Sequence, residues 1–216
     1  MTVGAGEPAL WLVPSSGPAG GEGAELLDAQ EGARLRSLRR EADRRTYLAA
    51  HVTLRRVLGE RLGVPPEDVV FEREPCVSCG APHGRPRVAG GAGGVHFSLS
   101  HSGELALVGL AGAPLGVDVE AFPAPPVVAD LVTALHPAEQ AELTALPERE
   151  RVAAFTRVWV RKEAYLKGLG AGVVRSVALD HVGAGPSPAP LPAPWTLRDV
   201  PCPPGYGAAV AFTRAP

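Results

Sequence analysis

Apolar and polar positions along this chain recur in two rhythms. Short apolar or alternating runs predict strands at residues 9–13, 69–73, 95–99, 105–110, 115–120, 173–182, 195–200 and 206–213. The first of these is closed by Pro14. Apolar residues at helical spacing predict helices at 24–40, 43–62, 127–135, 137–145 and 148–167. In the second helix Tyr47, Leu48, Val52, Leu54, Leu58 and Leu62 form the core face, Gly63 is the stop, and Pro65 and Pro66 keep the following chain extended. The last helix contains no proline from Glu148 to Gly168, with Gly168 and Gly170 as its stop signals. Gly-, Ser- or Pro-rich stretches at 14–23, 88–94 and 183–194 predict loops. Helices and strands precede residue 112, and helices and strands follow residue 115. That layout predicts an α+β fold of two similar α/β halves, residues 1–112 and 113–216, with a cleft between them.

Composition narrows the class. A chain of 216 residues can bury a sizeable core, and 45% apolar with 20% charged residues is the balance of a soluble globular protein. A net charge of −2 carries no basic excess for nucleic acid. No apolar run reaches the roughly 18 residues of a membrane span, and the N-terminus lacks the basic start and apolar core of a signal peptide. Three cysteines are an odd count and build no disulfide framework. The expectation is a cytoplasmic protein, monomeric, with no membrane or nucleic-acid partner.

Charge usage draws attention to one stretch. Of 21 basic residues only Lys162 and Lys167 are lysine, and they flank Glu163. Lysine is a compact, mobile charge where arginine is a fixed planar fork. On a helix Trp159, Glu163 and Lys167 share one face. A surface Glu–Lys pair, contributing about 0.3–0.5 kcal/mol, is the plainer reading of such a spacing. A second acidic pattern lies upstream, at Gly116-Val-Asp-Val-Glu120. A strand puts Val117 and Val119 on one face and Asp118 and Glu120 on the other. Two carboxylates that close repel unless water or a cation joins them, and hard oxygens with open positions suit Mg²⁺. An exposed edge strand with two solvated acids is the alternative.

Three further features carry less. Ser100-His101-Ser102-Gly103 reads as a turn whose hydroxyls, N–H groups and imidazole converge on an anion, or as a satisfied turn histidine. Arg44, Arg45 and Thr46 open the second helix, and Gly84-Arg85-Pro86 is a turn that projects one arginine. Cys76, Cys79 and His83 form part of a zinc pattern that lacks a nearby fourth ligand.

Gly116-Val-Asp-Val-Glu120, followed about 40 residues on by Trp159-Val-Arg-Lys-Glu-Ala-Tyr-Leu-Lys167, resembles the paired signature of the 4′-phosphopantetheinyl transferases. Phe97-Ser-Leu-Ser-His-Ser-Gly103 and Gly84-Arg-Pro86 resemble that family's two upstream motifs, in the family's order. The length resembles its long, pseudo-two-fold members, which activate peptide and polyketide synthases. The resemblance implies transfer of phosphopantetheine from coenzyme A to a serine of an acyl or peptidyl carrier protein, with release of adenosine 3′,5′-bisphosphate. It implies Asp118, Glu120 and Glu163 as Mg²⁺ ligands, Glu163 as base for the serine proton, and Lys167 as the neutraliser of diphosphate charge. Ser100, His101 and Arg85 match phosphate contacts, Arg45 and Thr46 adenine- and phosphate-side positions, and Lys162 flanks the site as a contact to coenzyme A. The family's lysines for the 3′-phosphate are missing, so Arg36, Arg39, Arg40 or Arg44 stands in their place. Two other classes remain open: a non-catalytic coenzyme A- or carrier-binding module on the same fold, and a zinc-dependent interaction protein built on the 76–83 loop.

Overall fold

The computed structural model describes residues 6–16, 22–75, 79–81, 84–171 and 175–214. Strand β1 (Ala9–Pro14) alternates, with Leu10 and Leu12 on one side and Trp11 on the other. The single helix expected over 24–40 is broken. A 3₁₀ turn at Ala24–Leu26 ends before Asp28, whose extended backbone caps α1 (Ala29–Ser37). The Asp28 carboxylate accepts the Glu31 N–H at 2.8 Å, and the Glu31 carboxylate accepts the Asp28 N–H at 3.0 Å. That reciprocal cap satisfies two orphan donors and makes Asp28 a helix start. Helix α2 (Glu41–Leu62) follows and stops at Gly63, which takes the left-handed φ of 71° that a C-terminal cap needs.

A short ribbon of β2 (Phe71–Arg73) and β3 (Pro86–Val88) leads through a 3₁₀ segment at Ala89–Gly94 into β4 (His96–Ser102) and β5 (Leu105–Ala111). Strand β6 (Leu115–Ala121), helices α3 (Pro125–Val132), α4 (Pro137–Ala145) and α5 (Glu148–Leu169), and strands β7 (Trp195–Asp199) and β8 (Tyr206–Thr213) complete the chain. The strand expected at 173–182 does not form in its described part, 175–182. Its polar groups are satisfied otherwise. The Val182 N–H donates to Glu139 on α4 at 2.8 Å, and Arg175 pairs with Asp180. No helix among the described residues is long and apolar enough to cross a membrane.

Two three-stranded antiparallel sheets form, in the orders β1-β5-β4 and β6-β8-β7. In each, the strand before the long helix pairs with the last strand of the hairpin or loop that follows it. The sheets stack face to face between the two long helices. Leu105 and Leu107 of β5 pack against Leu115, Val117, Val119, Val210 and Phe212 of the other sheet. The opposite face of β5, Val108 and Leu110, packs on Leu54 and Leu58 of α2. Ala209 and Ala211 of β8 turn instead to Val160 and Ala164 of α5. Period-two alternation thus gives each strand one face for the facing sheet and one for its helix.

Each long helix carries one arginine with no exposed surface. Arg55 donates to Glu31 at 2.6 Å, to Asp28 at 3.0 Å and to the Val69 carbonyl at 3.0 Å, and stacks 5.0 Å over the Phe71 ring. Arg161 grips both oxygens of Asp199, at 2.8 and 2.6 Å, and the Gly185 carbonyl at 3.0 Å. A buried guanidinium is tolerable only when its donors are taken, and these ties bind loops to the helices.

Burial alone would raise the pKa of Glu31, but His51 at 2.7 Å, the Asp28 N–H and Arg55 hold it below the usual value of 4.5. A depressed carboxylate stabilises the fold above its unfolded pKa and loses that contribution as pH falls through the folded pKa. Wild-type protein should therefore lose stability as pH drops below about 4.5. Glu31→Gln should be less stable at neutral pH and should flatten that acid slope, as read by denaturant titrations at stepped pH. An unchanged slope would show that Glu31 is not what holds the Arg55 cluster.

Candidate active site

The site forms where β6 is pressed against the last turns of α5. A Cβ at Gly116 would overlap the Ala164 carbonyl and the Gly168 N–H, so only glycine permits this approach. Gly168, inside the helix, is crowded from the other side by the Trp195 ring, 2.6 Å from where its Cβ would be. The contact brings Lys167 over Asp118. The ammonium lies 2.5 Å from Asp118 Oδ1 and 3.1 Å from Ser100 Oγ, and Ser100 donates to the same Oδ1 at 2.7 Å. Ser100 comes from β4, so the group joins both sheets and α5. Asp118 is 1% exposed, and its Oδ2 has no hydrogen-bond partner among the described residues.

Electrostatics mark the place as strained for anions. Burial raises the pKa of Asp118, against the pull of Lys167 and Ser100. Burial also raises Glu120 and Glu163, and each feels the Asp118 charge as a further upward push. Glu120 additionally feels Glu163, so the three carboxylates form one mutually repelling set. Among the described residues, no three carboxylate, imidazole or thiol side chains already converge closely enough to enclose an ion. The donor chemistry nevertheless fits a hard divalent cation: oxygen ligands, shared repulsion and an unused buried carboxylate oxygen.

The remaining expected residues fall in different surroundings. Ser100 and His101 are not in a turn. They lie on β4, with the turn at Gly103, and adjacent strand residues face opposite ways. Ser100 faces Asp118, while the His101 ring meets Tyr47 edge-on at 6.2 Å on the α2 side and keeps an exposed surface. Partial desolvation lowers the His101 pKa, with His51, Lys167 and Arg34 adding to the effect. Thr46 is buried and donates to the Gly103 carbonyl at 2.9 Å, tying α2 to the β4–β5 turn. Arg45 is exposed at the start of α2. Arg85 donates to the Gly168 carbonyl at 3.0 Å and grips Glu74 at 3.0 and 3.1 Å, clamping the β2–β3 ribbon to the end of α5. Lys162 does not join the site. It is 2% exposed, 2.7 Å from Glu139 and bonded to the Asp180 carbonyl, a buried tie between α4 and α5. Cys76 and His83 lie outside the described residues. Ser98 and Ser102 flank Ser100 on the same face of β4; the sequence points to Ser102 only as a turn hydroxyl and not to Ser98, although the alternation of the three is there to be read.

Comparison with known proteins gives the setting. Residues 114–197 match the family model described as the 4′-phosphopantetheinyl transferase superfamily, a span that includes Asp118, Glu120, Glu163 and Lys167. The chain is 32% identical over 207 residues to the 4′-phosphopantetheinyl transferase HetI of a Nostoc species, covering 93% of this chain and 85% of that one. It is 28% identical to the putative 4′-phosphopantetheinyl transferase slr0495 of a Synechocystis species, over 77% of this chain and 66% of the relative. With the 4′-phosphopantetheinyl transferase psf-1 of Bacillus pumilus it shares 30% identity over 61% of this chain and 52% of the relative.

The close approach of β6 and α5 is testable apart from any activity. Gly116→Ala should cost at least about 1–3 kcal/mol of stability in chemical denaturation, because the overlap is with backbone that cannot rotate away. A variant as stable as wild type would mean that the two elements are not so close.

Proposed function

The chain belongs to the 4′-phosphopantetheinyl transferase superfamily, and from that premise we propose that it moves the phosphopantetheine arm of coenzyme A to a serine hydroxyl of an acyl or peptidyl carrier protein, with Mg²⁺. The observation that supports this most is the buried Asp118, held through one oxygen by Lys167 and Ser100 and with the other oxygen unpartnered. The repeated sheet order supports reading residues 1–112 and 113–216 as duplicated halves with the site in the cleft between them. One chain then supplies both walls, which favours a monomer.

In this reading Asp118, Glu120 and Glu163 are the side chains that would hold Mg²⁺, and the ion when bound supplies charge neutralisation across the diphosphate. The serine oxygen forms a bond to the phosphorus on the pantetheine side. The bond from that phosphorus to the bridging oxygen breaks, and adenosine 3′,5′-bisphosphate leaves with the electron pair. Glu163 takes the serine proton. The Lys167 ammonium, already 3.1 Å from Ser100 Oγ, offsets charge on the departing phosphate, and Ser100 offers a hydroxyl to the diphosphate. Exposed Arg45 and His101 serve the 3′-phosphate side, with Thr46 holding the turn between them. Arg85 clamps the end of α5 through Gly168 and Glu74, and its remaining N–H groups are what it has to offer a phosphate.

Intact mass spectrometry of an apo carrier domain, incubated with this protein, coenzyme A and Mg²⁺, tests the proposal. The carrier should gain one phosphopantetheine, and EDTA should prevent it. Coenzyme A bound but transferred to no acyl or peptidyl carrier would move the reading to a binding module. Glu163→Gln should slow transfer by about 10²–10³-fold with its melting temperature preserved. Wild-type turnover in that variant would remove Glu163 from the base and ligand roles.

A further inference from the structure

Among the described residues strand β6 pairs with β8 on one side only, and its other edge must be accounted for. Along that edge the N–H groups of Val117, Val119 and Ala121 point outward together, as alternate strand residues do. The first and the last are taken by side-chain hydroxyls rather than by a backbone ladder. Val117 donates to Ser98 Oγ at 3.0 Å, and Ala121 donates to Ser102 Oγ at 3.1 Å. Between Ser98 and Ser102, Ser100 donates to Asp118 at 2.7 Å. Three alternate serines of β4 therefore grip β6 at three successive points. The outer two bracket the acid pair: Ser98 holds the residue before Asp118, and Ser102 holds the residue after Glu120. Ser98 is buried, so losing its oxygen would strand the Val117 N–H.

A backbone ladder could have closed this seam with less dependence on side chains. Hydroxyls in its place leave room between the edges and fix the spacing by side-chain reach. We infer that Ser98 and Ser102 are positioning residues: they hold β6 so that the Asp118 and Glu120 carboxylates are presented together to a divalent cation. This rests on the reading of Asp118 and Glu120 as ion ligands. Residues that orient ligands typically matter 10–100-fold for metal affinity.

The test uses Mn²⁺ as probe on the whole chain without coenzyme A or carrier, titrated by electron paramagnetic resonance, together with amide hydrogen exchange at Val117 and Ala121. Wild type should bind Mn²⁺ and protect both amides. Ser98→Ala with Ser102→Ala should weaken Mn²⁺ by roughly tenfold or more and speed exchange at both amides. Ser102→Ala alone should do so at Ala121, which keeps the question answerable if the double variant does not fold. Ser102→Thr, which keeps the hydroxyl, should restore both readouts. Asp118→Ala should abolish Mn²⁺ binding. If Asp118→Ala abolishes binding and the serine variants leave Mn²⁺ affinity unchanged, the positioning inference fails and the ion reading stands. If wild type binds no Mn²⁺, both fail.

Discussion

A carboxylate with 1% of its surface exposed cannot remain charged in a protein interior without a cation close by. Asp118 is such a group, and much of the chain's architecture serves to supply its company. Helix α5 delivers Lys167, and it can do so because Gly116 and Gly168 let strand and helix backbones meet. Strand β4, from the other sheet, delivers Ser100. Lys167 answers one oxygen only. The second oxygen, and the repulsion that Glu120 and Glu163 add, leave the set short of positive charge. In the proposed reading a divalent ion supplies that missing positive charge.

The rest of the fold keeps these partners still. Arg55 and Arg161 bind their loops to the two long helices by gathering carbonyls and carboxylates around buried guanidinium groups. Lys162 with Glu139 fixes α4 against α5 one residue from Glu163. Thr46 and Tyr206 both reach the β4–β5 turn, the first through the Gly103 carbonyl and the second by accepting the Glu104 N–H at 3.0 Å. The strand carrying Ser98, Ser100 and Ser102 is thus anchored from both halves of the chain.

What could be read from the sequence was what local periodicity encodes. Helix α5, strand β6 and the stops at Gly63 and Gly170 follow from spacing and glycine chemistry. The grouping of Asp118 with Lys167 was legible through the resemblance of their two motifs to one family's signature and through the scarcity of lysine, which occurs only at 162 and 167. Long-range satisfaction was not legible. Residues 175–182 look strand-like but are held by carboxylates of α4 and by their own Arg175–Asp180 pair. Asp28 splits an apparently continuous helix because a capping box competes with helix continuation. Lys162 looks like a site lysine beside Glu163, yet one residue along a helix is a 100° turn, and that turn points it at Glu139. In the sequence Ser98 looks like an ordinary strand serine and Ser102 like a turn hydroxyl, until β6 is found beside them.

The central claim is that the Asp118 group holds the ion that meets the coenzyme A diphosphate. Phosphorus NMR of coenzyme A with the protein, as Mn²⁺ is added in substoichiometric amounts, tests it most directly. The account predicts that the diphosphate resonances broaden well before the 3′-phosphate resonance, and that Asp118→Ala removes the difference. Equal broadening of all three phosphates in the wild type, or selective broadening that survives in Asp118→Ala, would contradict it.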